Sequence, residues 1–257
     1  MSIDLRRLEE ISQNASRPER GIMIDGWSVG LSPSKAKRSR CVNPHYQSVR
    51  SFEQNLRSAK AAYAHAKLPC VFRLTPWVAD PSIDAALAAH GYQRFDATCV
   101  MAINLSQLRP NIGDAMLANI SPEPDLIQAA QHVATLRGDS DIERDALAQR
   151  WSHSATPCLS TIAKSNSGAV IAHALVIIDD GYAGVFDVVT HADERGRGIG
   201  RALLQHALQQ ASALGAHTAY LQVMPSNPAR RLYERMGFAD VYEYWYRALP
   251  EDIQHPH

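Results

Sequence analysis

The sequence predicts an α/β (α+β) fold, a mixed twisted sheet flanked by helices and built in two halves. Three observations predict it. Apolar runs of strand length alternate with runs at helical spacing along most of the chain. A glycine-rich turn, Arg195-Gly196-Arg197-Gly198-Ile199-Gly200-Arg201, joins a strand to an amphipathic helix. A strand–proline–helix–glycine pattern also occurs twice, from Val71 through Pro76 to His90-Gly91-Tyr92 and from Tyr220 through Pro225 to Met236-Gly237-Phe238. A shared ancestral unit and chance recurrence both account for that echo.

The elements follow in order. Residues 4–17 read as a short helix that ends before Pro18, and 22–31 as one strand containing Asp25-Gly26-Trp27. After a basic stretch, Lys35 to Arg40, the residues Phe52, Leu56, Ala59, Ala62, Tyr63 and Ala66 recur at helical spacing. Residues 70–75 form a strand closed by Pro76, 83–90 a helix ended by Gly91, and 95–105 a strand. Pro110, Gly113, Pro122 and Pro124 mark a boundary. Helices are then expected at 125–137 and 141–153. Strands follow at 158–163, 169–178 and 182–190, the last two joined by the turn residues Asp179-Asp180-Gly181. The remaining expectations are a helix at 198–214, a strand at 218–224, a helix at 228–236 and a strand at 238–247.

Composition excludes several function classes. The 257 residues carry 26 Lys+Arg against 26 Asp+Glu, with 46% apolar and 20% charged residues. Zero net charge argues against a nucleic-acid partner held through its phosphates. The first ten residues hold acids and no apolar core, and the longest apolar run, 169–178, is half a membrane span, so the expectation is a soluble cytoplasmic chain with no membrane partner. Cys41, Cys70, Cys99 and Cys158 form no C-x-x-C pair, and no H-E-x-x-H is present, so no metal site is expected. Gly26-Trp27-Ser28-Val29-Gly30 spells a G-x-S-x-G elbow, but Ser32-Pro33-Ser34 follows where such an elbow needs a helix. Tyr242, Tyr244, Trp245 and Tyr246 read as core packing, and the final His-Pro-His as a frayed tail.

The glycine-rich turn carries the chemistry. Backbone amides at a helix N-terminus suit a phosphate or pyrophosphate, and Arg195, Arg197 and Arg201 add positive charge. The dinucleotide pattern G-x-G-x-x-G fails at Arg201, and the P-loop fails because Arg201-Ala202 follow Gly200. The stretch resembles the R/Q-x-x-G-x-G/A signature of the GNAT superfamily of acetyl-CoA-dependent N-acetyltransferases, with Arg195, Gly198 and Gly200 in its slots. Downstream, Ala229, Leu232, Tyr233, Gly237 and Phe238 fit that family's N-x-x-A-x-x-L-Y-x-x-x-G-F pattern. Ser226 stands in the asparagine slot and Asn227 one position late.

The resemblance covers about residues 125–247 and implies a GNAT-like mixed twisted sheet. It makes the chain a tandem: a degenerate GNAT-like domain at 1–108, a linker at 109–124 and a catalytic domain at 125–257. It implies acetyl-CoA in a V-shaped opening between two central strands. Val188, Val189 and Thr190 would face its acetyl and pantetheine portion, with the Val189 N–H donating to the acetyl carbonyl. Gly196, Arg197, Gly198, Ile199, Gly200 and Arg201, with Arg195, would hold the pyrophosphate, and Ser226 or Asn227 the pantetheine arm. Tyr233 would protonate the departing thiolate. The family's glutamate base is replaced by Gln222, leaving Asp187, or His191 through water, as candidate bases. The implied acceptor is a primary amine of a small molecule or peptide, and a homodimer stays open. The alternative is a non-catalytic acyl-CoA-binding sensor.

Overall fold

The structure, a computed structural model, describes residues 3–32, 36–108 and 119–253. Most of the expected linker, Pro33 and Ser34 with the first residue of the basic stretch, Lys35, and the His-Pro-His tail lie outside the described residues. The chain divides into two compact units, Met1–Ala15 with Val100–Val241, and Ser16–Cys99 with Tyr242–His257. This division crosses the boundaries expected from the sequence, since each terminus joins the unit formed by the other half of the chain.

In the first unit, helix α1 (Leu5–Asn14) starts where the Asp4 side chain accepts from the amides of Arg6 and Arg7. Five further strands are β6 (Ile120–Pro122), β7 (Cys158–Lys164), β8 (Val170–Asp179), β9 (Tyr182–Thr190) and β10 (Thr218–Val223). With the end of β5 (Gln93–Asn104) they run in the order β5-β10-β9-β8-β7-β6. Strand β6 falls inside the expected linker and pairs antiparallel with β7. Its three residues are too few for any periodicity to reveal.

Helices α4 (Leu126–Arg137) and α5 (Asp141–Ser152) cover one face of this sheet, on Leu175, Ile177, Phe186 and Val189. Helix α6 (Ile199–Ala213) covers the other, burying Leu204 and Leu208 against Val176, Val185, Leu221 and Val223. Alternate strand residues thus feed two separate cores. The turn between β8 and β9 is the expected Asp180-Gly181, with φ of 47° and 77°. No described helix is long and apolar enough to cross a membrane.

In the second unit the segment read as one strand is a hairpin, β1 (Gly21–Ile24) and β2 (Trp27–Gly30). Asp25 and Gly26 sit at φ 42° and 89°, the left-handed pair a two-residue turn demands. Gly26 is therefore turn and Ser28 mid-strand, so no nucleophile elbow forms, and Ser28 Oγ instead meets His45 Nε2 at 3.0 Å. Strand β3 (Val42–Pro44), unforeseen in the sequence, continues the sheet to β4 (Phe72–Leu74) and β11 (Ala239–Ala248). Helices α2 (Phe52–Ala66) and α3 (Ser82–Ala89) enclose a core centred on Trp27, Tyr63, Phe72, Leu87 and Tyr92. Arg247 donates to both carboxylate oxygens of Asp84 on α3, at 2.7 and 2.9 Å. The tyrosines read as core are buried in part: Tyr244 and Tyr246 are inside, while Tyr242 stacks at its edge on Trp77.

Candidate functional site

The site begins where two strands separate. Strands β9 and β10 pair in parallel from Tyr182 with Thr218 to Val185 with Leu221. Past that pair β9 runs on to Thr190 without a register on β10. The freed edge of β9 lines a cleft of about 710 Å³. Its other walls are the glycine-rich turn, the turn Asn227-Pro228-Ala229, and Leu232 and Tyr233 of α7 (Arg230–Met236).

The turn shows why glycine stands where it does. Gly198, at φ 82°, caps α6 in a conformation that side chains disfavour. A Cβ on Gly200 would come within 3.3 Å of Thr190 Oγ1, so glycine lets the helix approach β9 closely. The first helical bond here runs from Ala202 N to Gly198 O at 3.0 Å. Among the described residues, the amides from Gly196 to Arg201 meet no protein acceptor. Such a cradle of unsatisfied N–H groups, at the positive end of a fifteen-residue helix, fits an anionic diphosphate. Arg195 and Arg201 also line the cleft, with Arg235 of α7, which sequence reading missed because it falls at an unspecified slot of the second motif.

Eleven of the expected residues meet around this one cleft: Val188, Val189, Thr190, Arg195, Gly196, Gly198, Ile199, Gly200, Arg201, Asn227 and Tyr233. Three do not. Arg197 turns to Glu194 at 2.5 Å and lines a separate cavity of about 500 Å³. Ser226 is absent from the lining, whereas Asn227 is present and its Oδ1 accepts from the Ala229 amide at 2.9 Å. Asp187 lies outside the lining, its carboxylate tied to Arg137 of α4 at 2.8 Å and to Arg150 of α5 at 3.3 Å. Burial alone would raise its pKa, but the two guanidinium groups outweigh burial and hold it down to about 2. A carboxylate so held is a poor proton acceptor near neutrality.

The direction of the β9 amides also departs from expectation. His191 N donates to Ile171 O on β8 at 2.8 Å, and Val189 stands in register with His173 of β8. N–H groups alternate sides along a strand, so Val189 faces β8 while Val188 and Thr190 face away from it, toward the cleft. Tyr233, 8% exposed, has its pKa raised by burial, so its phenol stays protonated at neutral pH. Gln222 is engaged too, its Nε2 donating to Ser12 Oγ of α1 at 3.2 Å.

Known proteins resemble this chain in sequence and fold. Residues 126–238 match the model of the acetyltransferase (GNAT) family. Over 248 residues the chain is 26% identical to the uncharacterized N-acetyltransferase YobR of Bacillus subtilis, covering 95% of this chain and 98% of that one. It is 34% identical over 80 residues to the ribosomal protein bS18-alanine N-acetyltransferase of Escherichia coli, a match that spans 30% of this chain and 53% of that relative. A solved GCN5-related N-acetyltransferase from Kribbella flavida has the same fold, with a TM-score of 0.71 over 97% of this chain and 96% of its own at 18% identity. A tandem GNAT protein from the clavulanic acid biosynthesis pathway overlays with a TM-score of 0.58 at 17% identity, covering 86% of this chain and 77% of that one. Motif, fold and relatives converge on one conclusion: residues 126–238 form a GNAT-family domain, that of an acetyl-CoA-dependent acyltransferase.

Proposed function

We propose that the chain moves the acetyl group of acetyl-CoA directly onto a primary amine of a small molecule or peptide. The amide cradle from Gly196 to Arg201, opening into the split between β9 and β10, carries this reading. The diphosphate lies on that cradle with Arg195 and Arg201 beside it, and the pantetheine arm follows the freed edge of β9, near Asn227. The N–H of Val188, rather than that of Val189, polarises the acetyl carbonyl and stabilises the oxyanion formed on attack. The amine nitrogen bonds to the carbonyl carbon, the carbon–sulfur bond breaks, the departing thiolate takes the proton of Tyr233, and the proton shed by the nitrogen passes through water to restore the phenol.

The attacking amine must be neutral, and the carboxylate of the cleft lining, Glu194, is paired with Arg197 at 2.5 Å. Gln222 cannot accept a proton, and Asp187 is committed to two arginines. We therefore propose that the acceptor loses its proton to water before or during attack, with no carboxylate base. An α-amino group, with a pKa of roughly 8, meets this demand more readily than an alkylamine near roughly 10. The Escherichia coli relative acetylates an alanine of a ribosomal protein. A peptide N-terminus is therefore the first acceptor to test.

The test follows free thiol while the protein meets acetyl-CoA and a panel of alkylamines and alanine-initiated peptides. Turnover on a panel member supports the reading. Thermal stabilisation by acetyl-CoA with no turnover on any amine supports the acyl-CoA sensor instead.

A further inference from the structure

We propose that Asp187 is a positioning residue: clamped by Arg137, Arg150 and His173, it fixes an extra residue in β9 and so turns the Val188 N–H into the cleft. The proposal rests on reading that cleft as the acetyl-donor site. The register supplies the first part of the argument. Leu175 of β8 stands opposite Phe186, but His173 stands opposite Val189. Two residues of β8 therefore span three of β9, and Asp187 with Val188 oppose Ala174 alone.

An inserted residue reverses which amides face which neighbour. Before it, Tyr182, Gly184 and Phe186 match β8, while Ala183 and Val185 match β10. After it, Val189 and His191 take the β8 side, and Val188 and Thr190 the other. Uninterrupted alternation from Val185 would instead aim the Val189 amide at the cleft. The insertion therefore chooses the donor.

Asp187 is the residue that absorbs the insertion. Its φ is 49°, a left-handed conformation uncommon outside glycine. Three contacts hold it there. The carboxylate takes Arg137 at 2.8 Å and Arg150 at 3.3 Å, from the helices covering this face. The Asp187 carbonyl accepts from His173 Nδ1 at 3.1 Å. That bond fixes the tautomer, so His173 Nε2 accepts from the Ser160 hydroxyl at 3.0 Å. The His173 ring is fully buried and stacked on Trp151 at 5.5 Å. Side chains from α4, α5 and β8 thus converge on a single backbone kink.

Calorimetric titration of the full chain with CoA and with acetyl-CoA tests this, because only the second offers a carbonyl to Val188. The wild type should bind acetyl-CoA about fivefold more tightly than CoA, the worth of one hydrogen bond. D187G keeps the left-handed backbone and the His173 contact to its carbonyl but removes both arginine contacts; it should bring the two affinities within twofold while leaving that for CoA unchanged. D187N, which tolerates the same φ and keeps one oxygen acceptor, should recover most of the preference. A wild-type preference preserved in D187G, or D187N no better than D187G, overturns the proposal. So does a wild type that binds both equally. A wild type that binds neither overturns the donor-site reading itself.

Discussion

Burial raises the proton affinity of both Tyr233 and Asp187, yet Asp187 alone ends below the ordinary value for its group, because of the two it alone has cationic partners. Tyr233 is then a protonated phenol at the cleft wall. Tyr233→Phe should lower kcat by about 10²-fold or more with acetyl-CoA affinity nearly unchanged, as expected for a lost proton donor; steady-state kinetics paired with titration measures both. With Asp187 and Glu194 both paired to arginines, the proposed base-free route makes kcat/KM rise with pH toward the acceptor's own pKa, without a limb near pH 4. A carboxylate limb in the pH profile would disprove that assignment. His173 gives a stability prediction. Burial lowers its pKa to about 4 from an ordinary 6.5, so the unfolded chain binds its proton first. Stability should fall by up to about 3 kcal/mol as pH drops from 6.5 to 4, and His173→Gln should flatten that part of the curve in urea titrations.

At the scale of elements, the β9–turn–α6 unit depends on backbone more than on side chains. Gly198→Glu places bulk and negative charge on the amide cradle, in a left-handed position that favours glycine. It should abolish detectable acetyl-CoA binding while the fold persists, read by titration and circular dichroism. Helix α5 opens with a capping box in which Ser140 Oγ accepts from Glu143 N and Glu143 accepts from Ser140 N. Ser140→Ala should cost about 1 kcal/mol. The twofold echo read in the sequence also survives at this scale. Strand β4, helix α3, Gly91 at φ 84° and strand β5 repeat as β10, α7, Gly237 at φ 100° and β11. Tyr92 N bonds Leu87 O at 3.0 Å, as Phe238 N bonds Tyr233 O at 3.0 Å. Leu87 thus holds the place of Tyr233, with an apolar side chain that donates no proton.

For the whole molecule, binding couples to stability. A ligand that occupies only the folded chain should stabilise it by about 2.7 kcal/mol at a hundred times its Kd, visible as a rise in melting temperature. The helices and long strands were legible because burial imposes a period of 3.6 or 2 on runs of eight or more residues. The three-residue strands β3 and β6 were not, and the β1–β2 hairpin hid because Asp25-Gly26 sat inside an apolar run. By itself the sequence determined the glycine-rich turn, since φ above zero and close approach to β9 demand glycine wherever the chain folds. It also singled out Tyr233, the proposed proton donor, through a motif of fixed spacing. Only tertiary structure decided that Asp187 is clamped and that Val188 rather than Val189 faces the cleft. Those outcomes depend on one inserted residue and on arginines 50 and 37 positions away in the chain, which local periodicity does not register.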